Sequence, residues 1–516
     1  MIITFVGWDL AVRRVCSVLV LVFLLLFTVF SVWNVALVRG AEFITINADG
    51  SVSGTSSIVS GDNATYTFTG NITGYITVER NNIVIDGAGY TLEGAGDQED
   101  TGIFLSGITN VTVRNTRIVN FEVGVWVFAY SSNNTVTENT FVDNDSAIAV
   151  SVSSYNTVSE NVLTDNDNGI WLDTALGYDE VSSHYNIISG NNITLCFWDA
   201  IALANGASNN TIIGNNAVNN QYAITIGNLC NDNIVSGNFV DMTESGWGIR
   251  VEYHGYRNII SGNNIKNTYH GFDFFRASYN NISENDVVDS AYGVYFYESP
   301  DNKFWHNNFM DNTQQVYISG DSYPNVWDDG YPSGGNYWSD YSGSDATGDG
   351  IGDSPYVIDG NNTDNYPLMT GFGVPVEKSF NVTVGETDYV VTTLSNSTVS
   401  DLNFNETSKQ LSFSVSGLAG TTGFCNITVP AELMWGDFTL YLDDAALVED
   451  VDYVKSFNGT HYLFSVTYAH SSHVIDLFST EVVPDFAGWL FLPFLISTTL
   501  LGFALRKRLK KQRKLA

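Results

Sequence analysis

Four cysteines in 516 residues exclude a disulfide-held scaffold. Cys16 falls in an apolar run. Cys196, Cys230 and Cys425 lie far apart, with no Cys-X-X-Cys pair to suggest a zinc site. Basic residues are equally scarce. Lys and Arg total 21 against 56 Asp and Glu, for a net charge of −35. Such a chain repels phosphate, which excludes nucleic acid as a partner. It suits a soluble surface that meets cations or salt. Five methionines and seven histidines leave few copper ligands, and the sequence has no His-X-His. Between residues 80 and 320 no stretch fits a helix between the repeats described next.

What the chain has in abundance is Asn at a fixed step. "NIISGNNI" occurs twice, at 186–193 and 258–265. Both copies belong to a longer array that starts at Asn82, Asn110, Asn134, Asn156, Asn186, Asn210, Asn233, Asn258, Asn280 and Asn302. Each start has Asn, or once Gly87, five residues later, and the steps run from 22 to 30 residues. A period in this range signals a solenoid.

A second column gives its type. Gly102, Gly124, Ala147, Gly169, Ala200, Ala223, Gly248, Gly271, Gly293 and Gln315 recur at nearly the same step. After each come two apolar residues separated by a variable one, as in Ile103/Leu105 and Val125/Val127. That is strand periodicity. The expected fold is all-β: a right-handed parallel β-helix of about ten coils, roughly 50 Å long at ~4.8 Å per coil. The recurrent Asn residues are expected to stack as a hydrogen-bonded ladder at one corner, because an isolated buried amide is costly.

Both ends are apolar. Residues 1–40 read as a signal peptide or an N-terminal anchor, with Arg13 and Arg14 before the run Val15–Val38. Residues 481–516 read as a transmembrane helix, Ala487–Leu505, and a basic cytoplasmic tail from Arg506 to Lys514. Terminal apolar helices, a membrane contact and a cell-surface location with the bulk outside are therefore expected. Fourteen Asn-X-Ser/Thr sequons agree with export and glycosylation. Between the ends, residues 41–320 are assigned to the β-helix. Residues 321–370 form a capping segment rich in Asp, Gly and aromatics, and residues 371–480 an Ig-like β-sandwich.

The repeats over about 80–370 resemble the NosD-type parallel β-helix family, within the wider class of carbohydrate-binding and sugar-hydrolysing β-helices. The block "GGNYWSDY…GDGIGDSPY" and the tail Pro484-Asp485-Phe486 are similar to those of archaeal cell-surface members. The resemblance implies a glycan partner. The NosD name itself implies copper handling, which the ligand scarcity disfavours. His184, His254, His270 and His306 occupy unmatched positions and read as corner residues.

Two constellations carry chemistry. In "DATGDGIGD", Asp345, Thr347, Asp349 and Asp353 fall at positions 1, 3, 5 and 9 of an EF-hand-like Ca²⁺ loop, with Gly350 at the turn. Thr347 departs from the usual Asp, and Tyr356 stands where a bidentate Glu is normal. The other constellation is the variable, outward position of the long strand. There Trp126 and Trp171 flank Ala149, and Tyr295 and Tyr317 follow Thr225, Arg250 and Asp273. The aromatics are glycan-stacking candidates, with Ala149 leaving a gap for a sugar and Thr225 exposed. Arg250, Glu252 and Asp273 are the catalytic candidates, the two carboxylates about 7–8 Å apart on neighbouring coils.

The function expected is a membrane-anchored extracellular surface module, structural or binding an environmental or cell-surface polysaccharide. A polysaccharide hydrolase or lyase using Arg250, Glu252 and Asp273 is the alternative. NosD-like copper handling is the second alternative.

Overall fold

The computed structural model describes residues 41–95, 100–174, 183–243, 246–346, 349–417 and 422–483. Among these residues there is no helix, and none is long and apolar enough to cross a membrane. The apolar runs Val15–Val38 and Ala487–Leu505 and the tail lie outside the described residues, as does Thr347. Two compact units divide the chain, Met1–Gln221 and Tyr222–Ala516.

In the first unit three parallel sheets wind into a solenoid. The long-strand sheet runs through Thr101–Ser106, Val123–Phe128, Ser146–Ser151, Asn168–Asp173 and Asp199–Leu203, each in register with the next. A second sheet includes Val111–Arg114, Thr135–Thr137, Thr157–Ser159 and Ile187–Ser189. A third includes Arg117–Val119, Thr140–Val142, Val162–Thr164 and Asn192–Thr194. The in-register pairing stacks like on like, so Ile103, Val125, Ile148, Ile170 and Ile201 form one fully buried column. β-Branched residues suit it because their stiff side chains pack well on a pleated surface. The column of small residues has a steric cause. A Cβ at Gly124 would lie 2.5 Å from the carbonyl oxygen of Ala147 and 2.9 Å from the Phe141 ring.

The second unit repeats this plan. Its long strands are Tyr222–Ile226, Trp247–Glu252, His270–Phe275, Tyr292–Tyr297 and Gln314–Ser319. Beyond them, residues 376–482 form two five-stranded antiparallel sheets around an apolar core that includes Val391, Phe413, Ile427, Phe464 and Leu477.

The Asn columns are buried ladders. Asn134 donates its amide to Asn156 Oδ1 at 3.1 Å, and its backbone N–H to the same oxygen at 3.0 Å. Its Nδ2 also donates to the carbonyl of Ile108 at 2.9 Å. The same geometry recurs at Asn139/Asn161 and Asn161/Asn191, and in the second unit at Asn258/Asn280 and Asn285/Asn307. The expectation of one corner was too small. A third ladder runs five residues further on, with Asn144 donating to Asn166 Oδ1 at 2.9 Å. Its sequence signal is an Asn ten residues after some of the array starts, as at Asn144, Asn166, Asn220 and Asn312, with Cys196, Thr268 and Ser290 at that place in other coils.

In residues 321–370 the aromatics close the interior. Trp327 stacks on Phe304 and Trp338 on Phe309, each at 4.7 Å, and both indoles are buried. Asn325 and Asn336 add rungs to the two ladders.

Candidate functional site

The candidate site lies in the second unit, where three long strands align in register. Trp247 pairs with His270 and then Tyr292. Arg250 pairs with Asp273 and then Tyr295, and Glu252 with Phe275. Alternation puts Arg250, Glu252, Asp273, Phe275 and Tyr295 on the outer face of the sheet while Ile249, Val251, Phe272 and Phe274 fill the interior. Trp247, His270 and Tyr292, at the start of each strand, break that alternation and pack against Arg250 and Tyr295.

Arg250, Glu252 and Asp273 do not pair off individually. Arg250 Nη2 lies 2.6 Å from Glu252 Oε2, and its Nε 3.5 Å from Asp273 Oδ2. His270 Nδ1 lies 3.6 Å from the same Asp273 oxygen. The guanidinium also sits over the rings of Trp247, at 4.9 Å, and Tyr222, at 5.6 Å. Yet the cluster is not the open face that alternation alone predicts. Asp273 and His270 are buried, and the side chains of Arg250 and Glu252 are only 22% and 17% exposed. A stack of rings covers them. His270 lies flat on Tyr295 at 4.3 Å and on Trp247 at 5.0 Å, and Tyr295 lies on Tyr317 at 5.5 Å. His270 is therefore a member of the cluster and not a corner residue. Sequence reasoning passed over it because His270 sits three residues before the outward position on which the reading centred.

The cluster is incompletely satisfied. Arg250 Nε, Glu252 Oε2, His270 Nδ1 and Asp273 Oδ1 are buried without a hydrogen-bond partner among the described residues. The Arg250–Glu252 approach is close but poorly angled for a hydrogen bond. Buried polar atoms without hydrogen bonds are costly and uncommon; three of these four are held only by ion-pair approaches of 2.6, 3.5 and 3.6 Å, so the cluster keeps capacity for further polar groups. Burial holds the Glu252 carboxyl above the usual carboxylate range. Arg250 opposes that shift, and the neighbouring Asp273 adds to it. A carboxyl with a raised pKa beside a second carboxyl group is the pairing that acid–base cleavage of a glycosidic bond uses.

The other aromatic candidates sit in the first unit. Trp126 and Trp171 are half-buried and lie two coils apart in register with Ala149. The gap expected over Ala149 is closed. Trp126 leans one coil forward to donate Nε1–H to Ser151 Oγ at 3.2 Å, and packs on Phe128 at 4.8 Å, leaving Ala149 buried. Thr225, in the second unit, is also buried and not exposed. Tyr317 remains partly open on the second unit's face.

The acidic loop is held by its own backbone. Asp345 accepts the N–H of Gly350 at 2.9 Å, Asp349 that of Ile351 at 3.0 Å, and Asp353 that of Ala346 at 2.8 Å. Gly350 takes φ +85°, which the sharp turn requires. Each carboxylate has about four lone-pair positions, so these bonds leave oxygens for a cation. Among the described residues no group of three or more His, Cys, Asp or Glu is arranged to hold a metal. His184 bonds to the Ser208 carbonyl, His254 to Tyr256 and His306 to the Ser333 carbonyl.

The family model described as periplasmic copper-binding protein (NosD) matches residues 204–343. A model for the right-handed β-helix region matches residues 34–177 and 97–240. No curated protein matches the sequence. Among solved structures, a periplasmic alginate epimerase is 14% identical with a TM-score of 0.37, over 52% of this chain and 79% of that one. A GH87 α-1,3-glucanase from Streptomyces thermodiastaticus is 16% identical with a TM-score of 0.36, over 53% and 60%. An exopolygalacturonase from Thermotoga maritima is 9% identical with a TM-score of 0.32, over 51% and 72%. Likenesses at this level carry no argument about activity.

Proposed function

We propose that this chain, built of right-handed β-helix coils of the NosD type, is a glycan-binding surface protein. The site we assign is the outer face of Trp247–Glu252, His270–Phe275 and Tyr292–Tyr297. One observation carries the reading: four buried polar atoms on Arg250, Glu252, His270 and Asp273 make no hydrogen bond among the described residues, and the rings of Trp247, Tyr295 and Tyr317 border them. Sugars present apolar C–H faces to aromatic rings and hydroxyls to carboxylate and guanidinium groups, so one ligand class meets both halves of the site. The chain's location outside the cell, held by the apolar run 487–505, belongs to the same proposal. Protease added to intact cells then removes residues 41–480.

Calorimetry of wild type and Tyr317→Ala against a panel of polysaccharides tests the binding. A ring contact of about 1.4 kcal/mol corresponds to a tenfold loss of affinity in Tyr317→Ala. Absence of binding to the whole panel, or indifference to Tyr317, overturns the proposal. A second reading, cleavage of the bound glycan, is favoured by the raised Glu252 carboxyl. It requires release of reducing or unsaturated ends by wild type and none by Glu252→Gln.

A further inference from the structure

In the first unit one coil breaks the repeat at the corner before its long strand. In the coils before it this corner carries exposed acids: Glu122, then Asp143 and Asp145, then Asp165 and Asp167. One corner position is left-handed in each coil and is held by Asn120, Asp143, Asp165 and Asn219, residues that tolerate it. In the odd coil that position is Leu195, at φ +60° and 51% exposed. Cys196 replaces the ladder residue that Asn144 and Asn166 supply in the coils before. The corner is also one residue longer, since four residues separate Leu195 from Ala200 where three separate Asp165 from Gly169. Phe197 and Trp198 face outward at this corner, 63% and 45% exposed, with their rings edge-on at 5.0 Å.

The apolar side chains and the acids are adjacent. Trp198 N–H donates to the Asp167 carbonyl at 2.8 Å, and Asp165 N–H to the Thr194 carbonyl at 3.2 Å. Among the described residues no Lys or Arg pairs with Asp143, Asp145, Asp165 or Asp167. Like charges stacked on successive coils repel, and among the described residues these carry no counter-charge.

We infer that this corner is a second glycan site, one that takes a chain of amino sugars bearing protonated amines. The Trp198 and Phe197 rings supply the stacking surface. The two acid columns supply counter-charges at about 4.8 Å per coil, close to the length of one sugar unit in an extended chain. A uronate chain is repelled here. A neutral chain gains the ring contact alone. The site lies in a different unit from the face proposed above, so it stands or falls independently of that reading.

The test is calorimetry of the full chain with glucosamine oligomers, their N-acetylated counterparts and oligogalacturonate, at low and moderate salt. Glucosamine oligomers are expected to bind, more weakly as salt rises. Trp198→Ala is expected to weaken that binding about tenfold. The pair Asp165→Asn/Asp167→Asn is expected to weaken it more than Asp388→Asn/Asp437→Asn, a pair of exposed acids in the sandwich. Equal losses from the two Asp pairs would reduce the effect to general charge attraction and overturn the inference. So would equal binding of the N-acetylated oligomers, or unchanged binding in Trp198→Ala.

Discussion

Asp364 ends the amide ladder that reaches it through Asn336. Its Oδ2 accepts the Asn336 backbone N–H at 2.7 Å and the Trp338 indole N–H at 2.9 Å, while Oδ1 accepts the Tyr366 N–H at 3.0 Å. Earlier rungs such as Asn263, Asn285 and Asn307 give their amides to the next coil. The last rung has no such coil to give to, and a carboxylate, which only accepts, fits that place. The terminal unit of a repeat protein needs a distinct chemistry for this reason.

Asn cannot replace Asp364. Both oxygens face donors, so either orientation of an amide sets N–H against N–H. Asp364→Asn is expected to cost about 1–3 kcal/mol in a denaturant titration. The pH dependence is also expected to change. Burial pushes the Asp364 carboxyl up from 3.8 to about 7, so the folded chain holds this proton more tightly than the unfolded chain does. The resulting stabilisation is complete below 3.8 and is lost as pH rises through about 7. Melting temperature is expected to fall across that window in wild type and to lose this component in Asp364→Asn. An identical pH profile in the two proteins would contradict the assignment.

The ladders themselves predict a contrast. Asn191 donates both its backbone N–H and its amide to Asn215 Oδ1, at 3.0 and 2.9 Å. Asn215 in turn gives its amide to the Ile188 carbonyl at 2.9 Å. Asn215→Leu leaves these buried groups short and is expected to cost roughly 2–4 kcal/mol. Glu160→Gln, at an exposed corner of the same unit, is expected to cost under about 0.5 kcal/mol. Similar small losses for both would show that the column does not hold the stack together.

These cases separate what could be read from sequence and what could not. The coil period, the long strand and the Asn columns were legible because each is a local pattern repeated many times, so that a single misread coil is outvoted. Burial of the outer face was not legible. Alternation places Arg250 and Asp273 outward, but whether they meet water depends on how His270 and Tyr295 lie across neighbouring coils, and spacing does not encode rotamers. Trp126 illustrates the same limit. Its register with Ala149 followed from sequence, while its lean toward Ser151 did not. His270 was passed over because each strand position was read as a separate column, whereas the cluster joins columns three residues apart.

For the acidic loop we propose, from the spacing of its carboxylates, that Asp345, Asp349 and Asp353 draw together on Ca²⁺ around the turn at Gly350, since they are not already grouped to hold a metal. A cation bound only by the folded chain stabilises it by RT ln(1 + [L]/Kd), about 2.7 kcal/mol at a hundredfold excess over Kd, and so raises its melting temperature. Calcium is expected to raise the melting temperature and chelator to lower it, and Asp349→Ala to remove the difference. Identical melting curves with calcium and with chelator would leave the loop as an Asp-rich turn held by its backbone.

The guanidinium of Arg250 is shared by two carboxylates, and that predicts how its removal behaves with pH. In Arg250→Met the apolar stem is kept and the charge lost, leaving Glu252 and Asp273 against each other in a mostly buried site. Breaking a buried pair in this way costs about 3–5 kcal/mol, because the remaining charges are uncompensated. Loss of Arg250 also removes the one group that holds the Glu252 carboxyl down, so its upward shift grows. A carboxyl raised in the folded state stabilises below its unfolded value and loses that contribution as pH rises through the folded one. Arg250→Met is therefore expected to be much less stable than wild type at neutral pH and to recover part of the loss on acidification. Arg250→Met/Glu252→Gln is expected to recover part of it at neutral pH. Thermal melts of the three proteins at acidic and neutral pH decide this. A pH-independent loss in Arg250→Met would mean that Arg250 acts there by packing on Trp247 and Tyr222 and not by charge.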